Sequence, residues 1–489
     1  MTKENQIVIE RTVDGMLQEQ PSPKAGRKPR RKASEDPPVG STAEALADAR
    51  ERLRQMEEHS RVKLRGDKYL WGIYLFLLLF SVVELYSASA SEVRGDNVYH
   101  PLLNHGMFLL LGFGIVWLLQ NIHYKYYRKW AWGIAVIAVG LVYWGNTHGE
   151  LINGAMRSIE IAGFTIQPPE IAKLALVVIL ARVMSKNQMR HGITNRGIVI
   201  SLGLLAAFGG LLYANGLTNT MLIVVIASSM LIIGGTQMRK LLIIGALFAM
   251  VGVVVILPKF TGEDEENSSG TATEVVAASD GKTVNRDNMR KGRIADFLEG
   301  VDPGDSITDQ NRQVYYANMS QAHGGVISYP GKSRESARLP LAFSDYIYSV
   351  VIEDWGFVGG VLLLLTYLLL LARAGVIATK CTKAFPALLI TGCATMIVSQ
   401  AIVHMFIVVG LMPVSGQPLP FISKGGTSII VMSAAMGMML SVSKFAIQNT
   451  RKKKDANLAL KEAVDDADTA ANPTSILRDA EHTDPLVYK

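Results

Sequence analysis

Long apolar runs with few charges dominate this chain between residues 69 and 443. There are about ten of these runs, each roughly 18–30 residues long, and a helix of about 20 apolar residues spans the hydrocarbon core of a bilayer. A backbone that crosses a membrane must satisfy its own hydrogen bonds, so successive runs of this length fold as helices. The sequence therefore predicts an all-α, polytopic membrane protein with about ten transmembrane helices.

The run boundaries give a predicted position for every span. These positions are 69–90, 103–121, 130–148, 169–185, 197–214, 217–236, 240–258, 344–373, 384–411 and 421–443. The segment 344–373 is longer than one crossing needs. We therefore expect it to tilt or to begin outside the hydrocarbon.

The loops between the runs alternate in positive charge, which predicts the orientation of the chain. One set of loops carries Lys125, Arg128, Lys129, Arg182, Lys186, Arg190, Arg196, Arg239, Lys240, Arg373, Lys380 and Lys383. The short loops of the other set carry only Arg94 and Arg157. Because lysine and arginine collect in cytoplasmic loops, both termini are predicted to be cytoplasmic and Asp345 to lie at the outer membrane boundary.

This orientation divides the chain into five predicted segments. They are a cytoplasmic tail, disordered and then helical (1–68), spans one to seven (69–258), a large extracytoplasmic loop (259–343), spans eight to ten (344–445) and a second cytoplasmic tail (446–489). A loop as long as the third segment is usually either functional or disordered. We expect its first part to be disordered and its second part to be functional.

The clearest candidate for chemistry is Asp345, where the long polar loop ends and an apolar run begins. An ionisable carboxylate at the mouth of a span is costly to keep, which makes it a functional candidate. Glu353 and Asp354 follow in the same run, and on a helix Glu353 lies about 12 Å further along. The acids therefore cannot form a close pair. We expect Asp345 to act as a base and Glu353 to brace the bundle or pair with a buried cation.

A second polar group precedes and opens the fourth predicted span. It contains Arg157, Gln167, Glu170 and Lys173. Arg157 is a cation in the set of loops that otherwise carries few positive charges, so we expect it to have an anionic partner. Glu170 and Lys173 could instead be a helix cap and a simple i,i+3 pair.

A third polar group is the segment 410–428, which holds three prolines and four glycines beside two apolar runs. Such backbone is irregular, and at membrane depth it must be buried in protein or line a wet cavity. With its backbone N–H groups, Ser423, Thr427 and Ser428 could line an anion or sugar site. The segment could also be a simple re-entrant connector. His404, in the preceding span, is more typical of a hydrogen bond between helices than of catalysis.

Together these motifs resemble the SEDS family (shape, elongation, division and sporulation), and the match runs from about residue 69 to residue 445. The motifs that carry it are Asn153-Gly154-Ala155 with Arg157, Gln167 to Glu170 with Lys173, Leu339-Pro340 with Asp345, Glu353 with Gly356, and Gly416 to Ser428. The resemblance implies a peptidoglycan glycosyltransferase. Such enzymes polymerise lipid II, a disaccharide-pentapeptide on undecaprenyl pyrophosphate, at the outer face of the cytoplasmic membrane.

The resemblance also assigns roles to individual residues. It implies that Asp345 takes the proton from the acceptor sugar 4-hydroxyl, and that Arg157, Lys173 and Lys424 stabilise the leaving pyrophosphate. The implied substrate-binding residues are Arg157, Gln167, Glu170, Lys173, Ser423, Lys424, Thr427 and Ser428, with Glu353, His404 and Pro420 as supporting residues. The chain departs from the family pattern at Ser158, Pro169, Phe343, His404, Lys424 and Thr427, which replace Trp, Ser, His, Asn, Tyr and Ser.

The resemblance extends to cofactors and partners. It is compatible with a divalent cation, magnesium or manganese, and it implies no organic cofactor. The implied partners are lipid II, the growing glycan strand, a class B penicillin-binding protein and other division proteins, but no nucleic acid. The long tails favour the division branch, at the septum of the inner membrane, over the elongation branch. The rival interpretations are a lipid II flippase, in which the charged residues mark a transport path, and a scaffold for division proteins.

Overall fold

The computed structural model describes most of the region between residues 66 and 445. Its longer pieces are 66–92, 99–148, 150–152, 155–161, 164–189, 192–237, 311–330, 335–340 and 342–445. Shorter pieces lie between 239 and 308 and at 457–458. The predictions for the two tails, for the first part of the large loop and for the seventh span fall almost entirely outside the described residues.

Helices make up most of the described membrane region. The helices are α1 (Lys68–Glu92), α2 (Tyr99–Asn121), α3 (Tyr124–His148), α4 (Pro168–Lys186), α5 (Asn195–Tyr213), α6 (Leu217–Ile233), α7 (Arg312–Gly324), α8 (Ile347–Thr379), α9 (Ala384–Val408) and α10 (Gly426–Phe445). All except α7 coincide with a predicted span. Six of the described helices, α1, α2, α5, α8, α9 and α10, are long and apolar enough to cross a membrane. The helical, multi-pass fold class is therefore confirmed, whereas the count of ten spans stays a prediction.

Short hairpins join some of the helices. Three antiparallel strands, β1 (Glu150–Ile152), β2 (Ala155–Ile161) and β3 (Phe164–Ile166), connect α3 to α4 in the order β1-β2-β3. Two-stranded hairpins follow, β4 (Gln188–Met189) with β5 (Gly192–Ile193) and β6 (Val276–Ala277) with β7 (Thr283–Val284). The sequence did not predict these hairpins, because strands of two or three residues are too short to show alternation.

The helices separate into a buried centre and a surrounding layer. In the apolar membrane-spanning stretch of α9 and in that of α10, 83% of the residues are buried inside the protein, whereas 33% are buried in the corresponding stretch of α1. Most residues of α4 are buried as well. The outer helices expose large apolar side chains, as in Leu79, Leu110 and Val199. This is the expected surface of a bundle in lipid, because lipid tails are as apolar as leucine.

Helix α8 is interrupted at Gly356, which has φ 74° and ψ −177°. Only glycine adopts this conformation without strain. The break leaves two backbone N–H groups unpaired within α8, and the loop that precedes α8 supplies their acceptors. Phe357 N–H donates to the Gly325 carbonyl at 2.9 Å and Val358 N–H to the Val326 carbonyl at 3.1 Å. We call this junction, formed by Gly356 and Gly325-Val326, the α8 notch. It shows that the long predicted segment is two helical pieces, 347–355 and 357–379.

The opposite end of the bundle is closed by an ion pair and a helix cap. Asp67 Oδ1 accepts from the N–H groups of Tyr69 and Leu70, at 3.0 and 3.2 Å, and so caps α1. The Asp67 carboxylate also pairs with Arg373 of α8 at 2.5 Å, and Asp67 N–H donates to Ser443 Oγ at 2.9 Å. We call Asp67, Arg373 and Ser443 the cytoplasmic clasp, after the orientation predicted from the loop charges.

Candidate active site

Asp345 lies in a turn, residues 342–346, immediately before α8. Ser344 Oγ donates to Asp345 Oδ1 at 2.9 Å. Two groups from the segment between α9 and α10 hold this turn: Ser423 Oγ donates to the Ser344 carbonyl at 2.7 Å, and Lys424 N–H donates to the Phe343 carbonyl at 2.9 Å. We call residues 342–346 the Asp345 turn and residues 409–425 the proline loop. The proline loop therefore sets the position of the candidate base.

Tyr346 is the other titratable residue of the Asp345 turn, and it is 1% exposed. Burial raises the pKa of Tyr346 well above its usual value, the negative charge of Asp345 raises it further, and Arg293 opposes the shift. The phenol therefore keeps its proton at neutral pH and cannot serve as a base. Asp345 is the residue of the turn that can accept a proton.

The proline loop is irregular, as its prolines and glycines predict, and its backbone is satisfied by buried side chains. Four carbonyls each accept one side-chain hydrogen bond: Gln417 from His404 Nδ1 at 2.6 Å, Pro418 from Gln400 Nε2 at 3.2 Å, Pro420 from Tyr367 Oη at 2.5 Å and Ile422 from Ser81 Oγ at 3.1 Å. A buried carbonyl without a partner is costly, so these donors hold the loop in one conformation. The donors belong to α1, α8 and α9. Residues 417–423 of the loop are thus buried in protein, which is one of the two environments that irregular backbone at membrane depth requires, whereas residues 409–411 are exposed.

Lys173 lies behind the proline loop rather than on an open surface. Its Nζ donates to Glu170 Oε1 at 2.7 Å and to Gln400 Oε1 at 2.5 Å, and all three side chains are buried. Gln400 in turn holds the Pro418 carbonyl. The i,i+3 pair that the sequence allowed is therefore present, and it supports the loop through Gln400. A role for Lys173 at the pyrophosphate stays a prediction.

Thr427, in the first turn of α10, joins two of the sequence-predicted groups. Its Oγ1 donates to the Thr165 carbonyl at 2.7 Å and accepts from Gln167 N–H at 3.2 Å. The end of β3 and the start of α4 are thereby held against α10. Ser428 Oγ is buried and has no hydrogen-bond partner among the described residues.

Lys424 and Phe343, two of the positions where the chain departs from the family pattern, contact each other. Lys424 Nζ lies 4.2 Å from the centre of the Phe343 ring. A cation over an aromatic face is attracted by the ring electrons. The contact places the ammonium group beside the Asp345 turn, where an anionic group of a substrate could meet it.

Glu353 supports the outer loop rather than the reacting centre. Its carboxylate accepts from the N–H groups of Glu335 and Ser336, at 3.0 and 2.9 Å, and lies 3.0 Å from His323 Nδ1. Gln321 Nε2, also in α7, donates to the Val408 carbonyl at 2.9 Å. These contacts attach α7 and the chain after it to α8 and α9.

Arg157 lies in β2, but its side chain is outside the described residues. Asn153 and Gly154 also fall outside them. The anion-binding role of Arg157 therefore stays a prediction. Within the described part of the chain, no cluster of three or more His, Cys, Asp or Glu could hold a metal ion. The expected divalent cation therefore stays a prediction.

Several residues that hold the proline loop were not among the sequence candidates. They are Ser81, Tyr367 and Gln400. A polar residue inside an apolar run is the signal that could have identified Gln400, because its amide is costly to bury without partners. Ser81 and Tyr367 give no such signal, since serine and tyrosine are tolerated in transmembrane helices.

The chain has clear relatives among known proteins. Residues 67–448 match the family model for FtsW, RodA and SpoVE, described as "Cell cycle protein". A "Probable peptidoglycan glycosyltransferase FtsW" of Geobacter metallireducens is 30% identical over 386 residues, which cover 78% of this chain and 95% of the relative. "Stage V sporulation protein E" of Bacillus subtilis is 27% identical over 395 residues, covering 78% of this chain and 98% of the relative.

A solved structure shares the fold. It is described as "Structural coordination of polymerization and crosslinking by a peptidoglycan synthase complex" and aligns with a TM-score of 0.59 at 24% identity, covering 78% of this chain and 99% of the other. The family resemblance seen in the motifs is thereby confirmed. The chain belongs to the FtsW, RodA and SpoVE family of multi-pass membrane proteins.

Proposed function

We propose that this protein is a peptidoglycan glycosyltransferase that polymerises lipid II into glycan strands at the outer face of the cytoplasmic membrane. The observation that carries the proposal is the Asp345 turn, in which a carboxylate at the mouth of a span is held by the proline loop. The name of the relative in Geobacter metallireducens, "Probable peptidoglycan glycosyltransferase FtsW", supports the reaction class.

In the proposed reaction Asp345 acts as the general base. It takes the proton from the 4-hydroxyl of the acceptor sugar while that oxygen forms a bond to the anomeric carbon of the donor. The bond between the anomeric carbon and the pyrophosphate oxygen breaks, and undecaprenyl pyrophosphate leaves. General-base catalysis of this kind contributes about 10²–10⁴-fold to the rate.

The negative charge that develops on the leaving pyrophosphate needs a positive partner. Lys424 is half-buried beside the Asp345 turn, where its ammonium group contacts the Phe343 ring. Arg157 is the second cation that we assign to this role, on the strength of its place in the family motif. Such preorganised charges act most strongly where water is excluded.

We further propose that the enzyme works in division rather than elongation, with a class B penicillin-binding protein that crosslinks the strands and with other division proteins. The relative in Geobacter metallireducens carries the division name FtsW. The solved structure with the same fold belongs to a complex described as coordinating polymerization and crosslinking. A fluorescent fusion that gathers at mid-cell, together with filamentous cells after depletion, would support the septal role, whereas round cells after depletion would favour elongation.

The reaction is tested with the full-length protein, purified together with its transpeptidase partner and supplied with labelled lipid II. We expect glycan strands from the wild type and none from Asp345→Asn. Asp67→Asn makes the same chemical change in the cytoplasmic clasp and is the matched control, so it should polymerise normally. Equal polymerisation by wild type and Asp345→Asn would remove Asp345 as the base. Repeating the polymerisation assay in EDTA, which binds free divalent cations, tests whether the reaction needs the expected cation.

The flippase alternative is tested with the same preparations. Wild-type protein that makes no strands but moves labelled lipid II across vesicle membranes would replace the proposal by a transporter. Protein that does neither, and whose Asp345→Asn variant still supports growth, would favour a scaffold.

A further inference from the structure

We infer that Ser81 and His105 are positioning residues for the Asp345 turn, and this inference rests on the function proposed above. Neither residue belongs to the motifs that carry the family resemblance. Ser81 lies in α1 and His105 in α2, and their exposed fractions are 0% and 2%. Both helices belong to the surrounding layer of the bundle, so the inference gives a part of that layer a role at the site.

The hydrogen bonds between these residues have a single consistent direction. Ser81 Oγ lies 2.7 Å from His105 Nε2 and 3.1 Å from the Ile422 carbonyl oxygen. The carbonyl oxygen can only accept, so the Ser81 hydroxyl hydrogen points to Ile422. Ser81 then accepts from His105, which places the ring proton on Nε2. His105 Nδ1 has no partner among the described residues, as expected for a neutral ring that uses its one donor on Ser81.

The path continues from the proline loop to the candidate base. Ile422 is followed by Ser423, whose hydroxyl donates to the Ser344 carbonyl at 2.7 Å. The Ser344 hydroxyl donates to Asp345 Oδ1 at 2.9 Å. A hydrogen-bonded path therefore runs from α2 through α1 and the proline loop to the carboxylate, with backbone covalent links at Ile422–Ser423 and within Ser344.

Loss of the Ser81 hydroxyl would leave the Ile422 carbonyl buried without this donor. The loop would then shift to find another partner, because an unsatisfied buried carbonyl is costly. Ser423 would move with it, and the Asp345 turn would lose its fixed position. A displacement of about 1 Å at a reacting group can lower a rate about 10²-fold. The expected effect is on kcat rather than on the KM for lipid II.

The test uses the full-length protein with its transpeptidase partner and compares disruptive with conservative variants. Ser81→Ala and His105→Leu should lower kcat about tenfold or more, with KM changed by less than about twofold. Ser81→Thr and His105→Gln keep the required donors and should restore most of the rate. Ser441→Ala removes another buried serine, whose hydroxyl donates to the Ile122 carbonyl at 2.5 Å and which lies in α10 two residues before Ser443 of the cytoplasmic clasp. This variant should stay within about twofold of wild type. Equal losses in the disruptive and conservative variants would overturn the inference.

A second measurement does not depend on activity. Lys424 N–H donates to the Phe343 carbonyl, so its hydrogen exchange reports the contact between the proline loop and the Asp345 turn. In nanodiscs, Ser81→Ala and His105→Leu should speed this exchange, whereas Ser441→Ala should not. Exchange at the wild-type rate in both disruptive variants would overturn the inference. If Asp345→Asn polymerised normally, Asp345 would not be the base, and if the wild type made no strands, the proposed function would fail. In either case the exchange data would still decide whether Ser81 and His105 hold the Asp345 turn.

Discussion

The two ends of the helix bundle use their polar side chains in different ways. At the end predicted to face outward, called here the outer end, buried donors from α1, α8 and α9 hold the carbonyls of the irregular proline loop. At the cytoplasmic end, the side chains of the clasp close regular helices: Asp67 caps α1 and pairs with Arg373, whose side chain is 26% exposed.

This difference shows where the fold tolerates change. A buried loop carbonyl depends on one donor, because water cannot replace that donor. A partly exposed ion pair competes with water, and its loss is correspondingly small. Substitutions at the outer end should therefore reduce activity and stability together, whereas those in the clasp should change stability slightly and leave polymerisation intact.

The largest effect is expected for Lys173→Met. The substitution leaves the buried Glu170 carboxylate and the Gln400 amide without their shared cation. Breaking a buried pair in this way destabilises by about 3–5 kcal/mol. Thermal unfolding in detergent measures the loss, and the double variant Lys173→Met with Glu170→Gln should recover part of it. A single variant as stable as the wild type would show that the outer end is no more sensitive than the clasp.

A smaller but still large loss of stability is expected for Gly356→Ala in the α8 notch. The added methyl group would require a strained backbone and would collide with the Val326 carbonyl. Strain of this kind costs about 1–3 kcal/mol before the collision is counted. Gly375→Ala, further along α8 with no atom near the added methyl group, is the matched control and should be neutral or slightly stabilising. Equal melting temperatures for Gly356→Ala and Gly375→Ala would contradict a need for glycine at the α8 notch.

Thr427→Val should have an intermediate effect on stability and on the polymerisation rate. It removes the hydroxyl that joins Thr165 and Gln167 to α10 and keeps the side-chain shape. Each hydrogen bond contributes about 0.5–1.5 kcal/mol, so for the two bonds we expect a loss of about 1–3 kcal/mol and several-fold slower polymerisation. Thr427→Ser keeps the hydroxyl and should behave like the wild type. If Thr427→Val had normal stability and a normal polymerisation rate, the hydrogen bonds of Thr427 to Thr165 and Gln167 would not support the site.

The smallest effect is expected for Asp67→Asn, at less than about 1 kcal/mol, because a partly exposed pair contributes little. Burial raises the pKa of Asp67, but the hydrogen bonds and charge of Arg373 and the N–H groups of Leu70 and Tyr69 outweigh it, so the pKa falls below 3.8. The carboxylate therefore stabilises the fold fully above about pH 4, and this contribution is lost as the pH falls through the lowered pKa.

The pH dependence separates the clasp from other effects of the substitution. The difference in melting temperature between wild type and Asp67→Asn should be constant near neutral pH and shrink towards zero in acid. A difference that grew as the pH fell would show that the Asp67 carboxylate is not stabilised by Arg373.

The sequence predicted the parts of the fold whose cause is local. Apolar runs placed the spans, and the prolines and glycines of 410–428 predicted irregular backbone. The break at Gly356 could not be predicted in this way, because its neighbours Trp355 and Phe357 are apolar and its acceptors come from residues 325 and 326. The distinction between the central helix α9 and its exposed neighbours also depends on tertiary packing rather than on hydropathy.

The sequence likewise predicted the parts of the candidate site that carry a local signal and missed those that depend on distant contacts. Asp345, Thr427 and the Glu170–Lys173 pair carry local signals, namely an acid at a span boundary, a motif position and a helical spacing. The path from His105 and Ser81 to Ile422 joins segments more than 300 residues apart, since Ser81 and Ile422 are separated by 341 positions. No local pattern records such a contact.

The α8 notch also bears on how the protein is made. Phe357 and Val358 cannot satisfy their N–H groups within α8, and lipid offers them no acceptor. The acceptors, at residues 325 and 326, come before α8 in the chain and are therefore synthesised first. Completion of the second half of α8 is therefore expected to be coupled to docking of the preceding loop, since that loop supplies the acceptors that the helix lacks.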